Sequence, residues 1–233
     1  MNKPKICMPL MGADISSLMR AAEYAVETAP DVVEFRADHI ADLAEILPAL
    51  EALRKKLPMP IIFTLRDFAE GGAVHIDMPA RAEIISQVIE SGMPDMVDIE
   101  LAAVRAGFSS LVDEAKSRNI AVILSAHFFD RTPALNEMIE TITEMENKGA
   151  DMAKLAVMPS SSGDVLTLLS VTQQAAIPVI AISMGKLGLA SRVIGGLFGS
   201  AVTFCAGLEP SAPGQLSIEE LREAMKWYYA GPF

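Results

Sequence analysis

The sequence contains few cysteines and few basic residues, and both shortages limit what the protein can be. Its 233 residues include only two cysteines, Cys7 and Cys205, which is too few for a disulfide framework and indicates a reducing compartment. Lysine and arginine number 19 against 30 aspartates and glutamates, a formal net charge of −11. Such an acidic chain is a poor partner for nucleic acid or for an anionic membrane surface. We therefore expect two free thiols, packed as small hydrophobic groups, and a small-molecule ligand.

Long apolar runs and linkers are missing as well. No run of apolar residues approaches the roughly 20 residues of a membrane-spanning helix, and the segment Met1–Lys5 is not the start of a signal peptide. No stretch is rich enough in proline, glycine or serine to divide the chain. The composition, 51% hydrophobic and 21% charged, is that of an ordinary globular protein. These features predict a single domain over residues 1–233, a cytoplasmic location and no membrane partner.

Short apolar runs alternate along the chain with longer segments of helical period. The predicted strands are Ile6–Leu10, Val32–Arg36, Pro60–Leu65, Met96–Leu101, Ile120–Ser125, Met152–Val157, Val179–Ser183 and Val202–Ala206. The predicted helices are Ser16–Thr28, Ala41–Lys56, Pro79–Ser91, Ala103–Ser117, Pro133–Lys148, Gly163–Ala175, Leu187–Phe198 and Ser217–Tyr229. Apolar strands that alternate with helices indicate a parallel sheet covered on both faces, and their number favours a closed (β/α)8 TIM barrel. A doubly wound open sheet is the alternative, but no Gly-x-Gly-x-x-Gly turn follows the first strand.

Capping residues support several of these helices. Pro79 and Pro133 suit the first turn of a helix. Ser217 is followed three residues later by Glu220, which is the pattern of a capping box. Gly149 is placed to end the helix that precedes the sixth strand.

Lys154 is the most unusual residue of the strands, because it stands in the middle of an apolar run. Lysine is almost never fully buried without a partner, and burial of an ammonium group is so costly that the group tends to lose its proton. A neutral amine in a dry pocket attacks carbonyl groups and forms Schiff bases. The alternative is a structural ion pair with Asp151 or with a carboxylate on a neighbouring strand.

Polar residues gather where the strands end, which is where a barrel of this kind carries its active site. They are Glu34, Arg36, Arg66, Glu70, Asp98, Glu100 and His127. Each has a structural alternative: Glu34 and Arg36 could pair with each other, and Asp98 and Glu100 could only neutralise Lys154 or an arginine. The convergence of a lysine, a histidine, a glutamate and arginines at one end of the barrel indicates an active site instead.

The order and spacing of these residues resemble the type I 3-dehydroquinate dehydratases, over essentially the whole chain. The matching segments are Glu34–Arg36, Phe63–Arg66 with Glu70–Gly72, His127 27 residues before Lys154, Ser183–Gly188, Ser191–Val193, Leu197–Ser200 and Ser211–Gln215. The resemblance implies a (β/α)8 barrel, usually a homodimer, that needs no metal or dissociable cofactor. It also implies that Lys154 forms an imine with 3-dehydroquinate and that His127 is the general acid/base, partnered by Glu70. The residues that would hold the substrate are Glu34, Arg36, Arg66, Arg192, Ser211 and Gln215.

The chain departs from the family pattern at three positions. Pro9 stands where many members have serine, and Ala126 and Phe128 flank His127 where members commonly have tyrosine and asparagine or aspartate. Two other functions fit the same residues. One is a Schiff-base aldolase, which also places a lysine on the sixth strand of such a barrel. The other is a barrel that binds a small carboxylate without turning it over.

Overall fold

The computed structural model describes residues 3–229, and its central feature is a ring of eight parallel strands. The strands are β1 (Lys5–Leu10), β2 (Val32–Arg36), β3 (Ile61–Thr64), β4 (Met96–Glu100), β5 (Ala121–Phe128), β6 (Met152–Val157), β7 (Val179–Ser183) and β8 (Val202–Phe204). Strands β1 to β7 pair in chain order, and β8 pairs with β1. The ring closes through a bridge between Val179 and Ser200, beside which Ala201 N–H donates to the Val179 carbonyl at 2.7 Å. The predicted (β/α)8 barrel is confirmed.

Helices follow the strands and cover the outside of the ring. They are α1 (Ile15–Thr28), α2 (Ile46–Lys56), α3 (Met78–Ser91), α4 (Leu101–Arg105), α5 (Ser110–Ser117), α6 (Leu135–Asn147), α7 (Ser162–Gln174), α8 (Leu189–Ile194) and α9 (Ile218–Tyr229). Within residues 3–229, none of them is long and apolar enough to cross a membrane.

Three of the predicted helices are interrupted. The segment 103–117 is two helices, because Gly107 takes a left-handed φ of +103° between them. The segment 41–56 begins with a 3-10 turn, Leu43–Glu45, whose start is capped by the Asp42 side chain. The segment 187–198 ends in a 3-10 turn, Gly195–Phe198, which passes into the left-handed Gly199.

The capping predictions hold at three of the helix ends and fail at one. Ser217 and Glu220 exchange both hydrogen bonds of a capping box, at 2.9 and 3.1 Å. Gly149 ends helix α6 in a left-handed conformation with φ of +91°. Pro79 lies in the first turn of α3. The prediction that Pro133 begins a helix is wrong, because the extended residue Ala134 stands at the N-cap position and α6 starts after it.

The apolar core has two layers, one inside the ring and one between the ring and the helices. Cys7 belongs to the inner layer and Cys205 to the outer layer. Cys7 pairs with Phe204 across the sheet, and the next residue, Cys205, points to the opposite face because successive side chains of a strand alternate. Both thiols are buried and free, as expected. Burial raises the pKa of Cys205 to about 12 and that of Cys7 well above its ordinary value.

Aspartates at the starts of alternate strands tie the ring together at its N-terminal end. Each directly precedes an even-numbered strand, and its side chain accepts a hydrogen bond of 2.8 Å from a backbone N–H at the start of the strand before it. The pairs are Asp31 with Ile6, Asp95 with Ile61, and Asp151 with Val122. Asp151 therefore serves the frame of the barrel and is not the partner of Lys154.

Candidate active site

One cavity opens at the C-terminal end of the ring, with an empty volume of about 510 Å³. All nine residues predicted for the site line it: Glu34, Arg36, Arg66, Glu70, His127, Lys154, Arg192, Ser211 and Gln215. Four of them lie on β2, β5 and β6, where alternate residues face the interior. The other five lie in the segments that follow β3, β7 and β8 at this end of the ring. The sequence did not single out the apolar part of the lining, which consists of Phe129, Ala156, Ile182, Met184, Phe204 and Ala212.

Strand β6 holds Lys154 at the base of the cavity. Its side chain is 5% exposed, and Nζ contacts Asp98 Oδ2 at 2.7 Å and Glu34 Oε1 at 3.1 Å. The same Nζ lies 4.8 Å from the centre of the Phe204 ring, within the range of a cation–π interaction. The ion pair considered above thus exists, with carboxylates on β2 and β4. Lys154 nevertheless faces an open cavity, and a lysine with only a structural role does not require one.

Asp98 lies between Lys154 and Arg66, so it does neutralise a lysine and an arginine, as the sequence analysis considered. Its Oδ2 accepts hydrogen bonds from Lys154 and, at 2.8 Å, from Arg66, and its Oδ1 accepts from Ser125 Oγ at 2.5 Å. Burial opposes ionisation of Asp98, but the charges of Arg66 and Lys154 outweigh it and hold the pKa well below its usual range. The only signal in the sequence was an aspartate inside an apolar strand.

His127 and Glu70 form a second pair on the neighbouring wall. Glu70 Oε2 lies 2.8 Å from His127 Nδ1 and also accepts the His127 backbone N–H at 3.1 Å. Burial raises the pKa of Glu70 to about 8. Burial, together with the nearby cations Arg66 and Lys154, lowers the pKa of His127 well below its ordinary value. The pair aligns the ring and leaves its other nitrogen, Nε2, for a ligand.

The residues around His127 explain two departures from the family pattern. Strand β5 runs to Phe128, three residues beyond the predicted end at Ser125, so that His127 lies within the strand. Ala126 and Phe128 therefore pack against the outer layer of the core and away from the cavity. Phe129, after the strand, stacks on the His127 ring with 6.4 Å between ring centres.

Arg192 differs from the other arginines of the cavity. Its guanidinium is buried and donates to two backbone carbonyls, Phe204 O and Pro213 O, both at 3.2 Å. Among residues 3–229 no carboxylate pairs with it, and its Nε has no hydrogen-bond partner. Burial lowers its pKa to about 10, which still leaves it charged at neutral pH. A buried, unbalanced guanidinium is a site for an anion, most readily a carboxylate.

The other two arginines are already paired. Arg36 forks onto Asp38 at 2.8 and 2.7 Å, so Arg36 and Glu34 do not form the pair considered above. Glu34 instead accepts from Thr64 Oγ1 at 3.0 Å. Arg66 is held by Asp98 and Glu100. Both guanidiniums still border the cavity, and their places as substrate contacts stay predictions.

A loop after β8 covers one side of the cavity. Gln215 Oε1 accepts from Ser211 N–H at 2.6 Å, and Gln215 Nε2 donates to Ser211 Oγ at 3.0 Å. Gly185 N–H donates to Pro213 O at 3.1 Å and ties this loop to the one after β7. Gly214 lies so close to that turn, with φ of +76°, that a Cβ would come within 2.4 Å of Gly185 O. Pro9, the third departure, lines a neighbouring cleft and not this cavity.

The fold and the cavity together define a (β/α)8-barrel enzyme built around a buried lysine, a histidine–glutamate pair and a buried arginine that no carboxylate among residues 3–229 balances. Comparison with known proteins narrows this class. The family model of type I 3-dehydroquinase matches residues 6–232, and the chain belongs to this family of hydro-lyases. The resemblance noted from the sequence is confirmed. Within residues 3–229 no three histidine, cysteine, aspartate or glutamate side chains are grouped to hold a metal ion.

Individual relatives agree with the family assignment. The 3-dehydroquinate dehydratase of Listeria monocytogenes serotype 4b is 41% identical over 230 residues, which cover 95% of this chain and 91% of that protein. The crystal structure of the Geobacillus kaustophilus enzyme superposes with a TM-score of 0.93 at 36% identity, covering 99% of this chain and 93% of that one. The type I enzyme of Clostridium difficile, solved with covalently modified comenic acid, gives a TM-score of 0.91 at 33% identity, covering 97% of this chain and 92% of that one.

Proposed function

We propose that the protein removes water from 3-dehydroquinate to give 3-dehydroshikimate, through a Schiff base on Lys154 and with His127 as the general acid/base. One observation carries the proposal: Lys154 and His127, from paired strands, face the same cavity as the unbalanced guanidinium of Arg192. The names of the relatives support this reaction. The covalent ligand of the Clostridium difficile enzyme supports a nucleophile in the site.

The substrate binds with its carboxylate on Arg192 and its ketone towards Lys154. The planar guanidinium of Arg192 suits bidentate binding of a carboxylate, and the bound carboxylate balances its positive charge. Ser211 and Gln215 approach from the loop after β8, while Glu34, Arg36 and Arg66 also border the cavity and meet the substrate hydroxyl groups. These contacts bring the reacting carbon atoms between lysine and histidine.

Lys154 begins the reaction as a neutral amine that attacks the ketone carbon. The proton that the Lys154 ammonium gives up before the attack returns to the hydroxyl group of the adduct, which then leaves as water. The result is a protonated imine, which withdraws electrons from the adjacent carbon. Asp98 and Glu34, at 2.7 and 3.1 Å from Nζ, then stabilise the positive charge on nitrogen without having to rearrange.

His127 carries out the proton transfers. Its Nε2 removes the proton from C2, while Nδ1–H donates to ionised Glu70, which stabilises the imidazolium that forms. The electron pair moves into the imine system and back, the C1–O bond breaks, and the hydroxyl group takes the proton from His127 and leaves as water. Hydrolysis of the imine releases the product and restores the amine.

The experiment that tests this function is borohydride reduction in the presence of 3-dehydroquinate, followed by intact mass and peptide mapping. The expected result is a stable adduct on the peptide that contains Lys154, no adduct in Lys154→Met, and ultraviolet absorbance of an unsaturated product. Carbon–carbon cleavage products would identify an aldolase instead. If 3-dehydroquinate binds but gives neither adduct nor product, the protein is a carboxylate-binding barrel without this activity. Lys154 then has only the structural role of an ion pair.

We also propose that the protein is a cytoplasmic homodimer that forms one domain over its whole length. The family resemblance supports the dimer, and the two free buried thiols suit a reducing compartment. Light scattering on the purified protein tests the dimer: a mass of one chain, 25.0 kDa, would contradict it.

A further inference from the structure

Arg81, on helix α3, is a buried arginine outside the cavity. Its side chain is 1% exposed, and it does not line the cavity. Its guanidinium donates to three groups: the Asp67 carboxylate, the Glu100 carboxylate and the Leu65 carbonyl. Two of these three groups, Asp67 and Glu100, lead to the reacting groups.

The first connection runs through Asp67 to Glu70. Arg81 Nη1 lies 2.5 Å from Asp67 Oδ2. The other oxygen of this carboxylate caps a 3-10 turn by accepting from Ala69 N–H at 2.8 Å, and the Asp67 carbonyl accepts from Glu70 N–H at 2.9 Å. This turn, Phe68–Glu70, presents Glu70 to His127. The position of the histidine partner therefore depends on where Arg81 holds Asp67.

The second connection runs through Glu100 to Lys154. Arg81 Nη2 binds Glu100 Oε2, and the other oxygen of Glu100 accepts from Arg66 Nη1 at 2.8 Å. Arg66 Nη2 in turn binds Asp98 Oδ2, the oxygen that contacts Lys154. Glu100 Oε1 also accepts from Asp67 N–H at 3.1 Å, so the two connections meet at one carboxylate.

We propose that Arg81 is a positioning residue that holds both catalytic pairs, Glu70 with His127 and Asp98 with Lys154, in register with each other. The proposal rests on the proposed function. Its physical basis is the planar fork of arginine, which reaches Asp67, Glu100 and the Leu65 carbonyl at once, whereas the single ammonium of a lysine at the same site cannot span all three. A displacement of about 1 Å at a reacting group can cost about 100-fold in rate.

Arg54 provides a matched control at the opposite end of the barrel. This arginine of helix α2 also binds one aspartate, Asp95 at 2.8 Å, and two backbone carbonyls, Leu57 O at 2.7 Å and Met59 O at 3.0 Å. Arg54 also has three anchors, although its side chain is 31% exposed and binds one carboxylate instead of two. It does not line the cavity. A merely structural role of Arg81 predicts that Arg81→Lys and Arg54→Lys have the same effect on catalysis.

The kinetic experiment compares Arg81→Lys and Arg54→Lys with the wild type, with 3-dehydroquinate as substrate and rates corrected for the folded fraction. Lysine is chosen because it keeps a positive charge between the Asp67 and Glu100 carboxylates, whereas Arg81→Met would leave both without a partner and is expected to prevent folding. Arg81→Lys should lower kcat about tenfold or more and leave KM within about threefold, because positioning acts on the transition state. Arg54→Lys should retain the kcat of the wild type. Equal kcat values for all three proteins would overturn the proposal.

A second measurement needs no turnover and separates this proposal from the proposed function. The protein has only three histidines, so ¹⁵N-histidine labelling resolves His127 from His39 and His75. In the free protein, Arg81→Lys and Asp67→Asn should move the Nδ1 resonance of His127 and leave that of His39 in place. His75 does not serve as a reference, because its ring lies 6.2 Å from that of Phe68 in the same turn. An unchanged His127 resonance contradicts the proposal even if the enzyme is active. A wild type that does not dehydrate 3-dehydroquinate contradicts the function, while the resonances still test Arg81.

Discussion

Two arginines that border the same cavity should respond in opposite ways to the same substitution. Arg36 is paired with the buried Asp38 through two hydrogen bonds, whereas Arg192 has only backbone carbonyls as partners among the described residues. Replacement of each by methionine keeps an unbranched side chain and removes the charge. Arg36→Met should mainly lower stability, and Arg192→Met should mainly weaken substrate binding.

The magnitudes follow from what each guanidinium leaves behind. Arg36→Met strands the Asp38 carboxylate in the interior, where breaking a buried ion pair costs about 3–5 kcal/mol. Arg192→Met strands no carboxylate, and it removes a charge that the free protein does not balance. Loss of the guanidinium weakens substrate binding. It removes two hydrogen bonds to the substrate carboxylate, each worth about 1.5–3 kcal/mol, and this corresponds to a rise in KM of roughly 10²-fold or more.

Urea unfolding and steady-state kinetics on the two variants measure both effects. The expected pattern is a much lower unfolding midpoint for Arg36→Met, with a smaller change for Arg192→Met, and the reverse order for KM. Arg192→Lys serves as the control that retains charge without the fork, and its KM should lie between those of the wild type and Arg192→Met. Equal KM values for Arg192→Met and the wild type would refute the assignment of the carboxylate site.

Three further predictions concern the histidine pair and the loop. Turnover should rise with pH through about 8, because the pKa of Glu70 is raised to about 8 and only ionised Glu70 can accept Nδ1–H and leave Nε2 as the base; a pH–rate profile flat from pH 6 to 9 would contradict this. His127→Ala should lower kcat by at least about 10²–10⁴-fold and still give a borohydride adduct on Lys154; near-normal turnover would show that the base lies elsewhere. Gly214→Ala should raise KM about tenfold, because a Cβ would lie 2.4 Å from Gly185 O. Its melting temperature should stay close to that of the wild type, and an unchanged KM would show that the loop is held in another way.

The sequence predicts the barrel well because its strands and helices have distinct periods. Continuous apolar runs of about five residues identify parallel strands buried on both faces, and all eight are found. Helix interruptions were missed where a local conformation breaks an otherwise helical pattern, as at Gly107. A glycine inside a helical pattern does not reveal whether it takes a left-handed φ, because both conformations are open to it.

The site was predictable as a set of residues and only in part as a set of contacts, of which Glu70 with His127 and Asp98 with Lys154 were considered. Lysine, histidine, arginine and glutamate are conspicuous at the ends of apolar strands, and all nine predicted residues line the cavity. Their partners come from other strands: Asp98 on β4 reaches Lys154 on β6 across the interior of the ring. Such pairs depend on the closure and register of the barrel, which strand periodicity does not encode. Arg81 was missed for the same reason, since on a helix its charge is typical of a solvent-facing position.

The distribution of charge in the cavity shows how a strongly acidic protein can bind an anion. The formal net charge of −11 repels an anionic substrate at long range, but salt at physiological strength screens exposed charges beyond about 8 Å. Inside the cavity, Arg36, Arg66 and Lys154 are each held by a carboxylate of the fold. These pairs fix their geometry and cancel their charge. Arg192 is held by carbonyl oxygens alone, so that its full charge remains for a ligand at a buried position. We therefore expect one buried guanidinium to set the affinity for the carboxylate, with little influence from the surface charge of the protein.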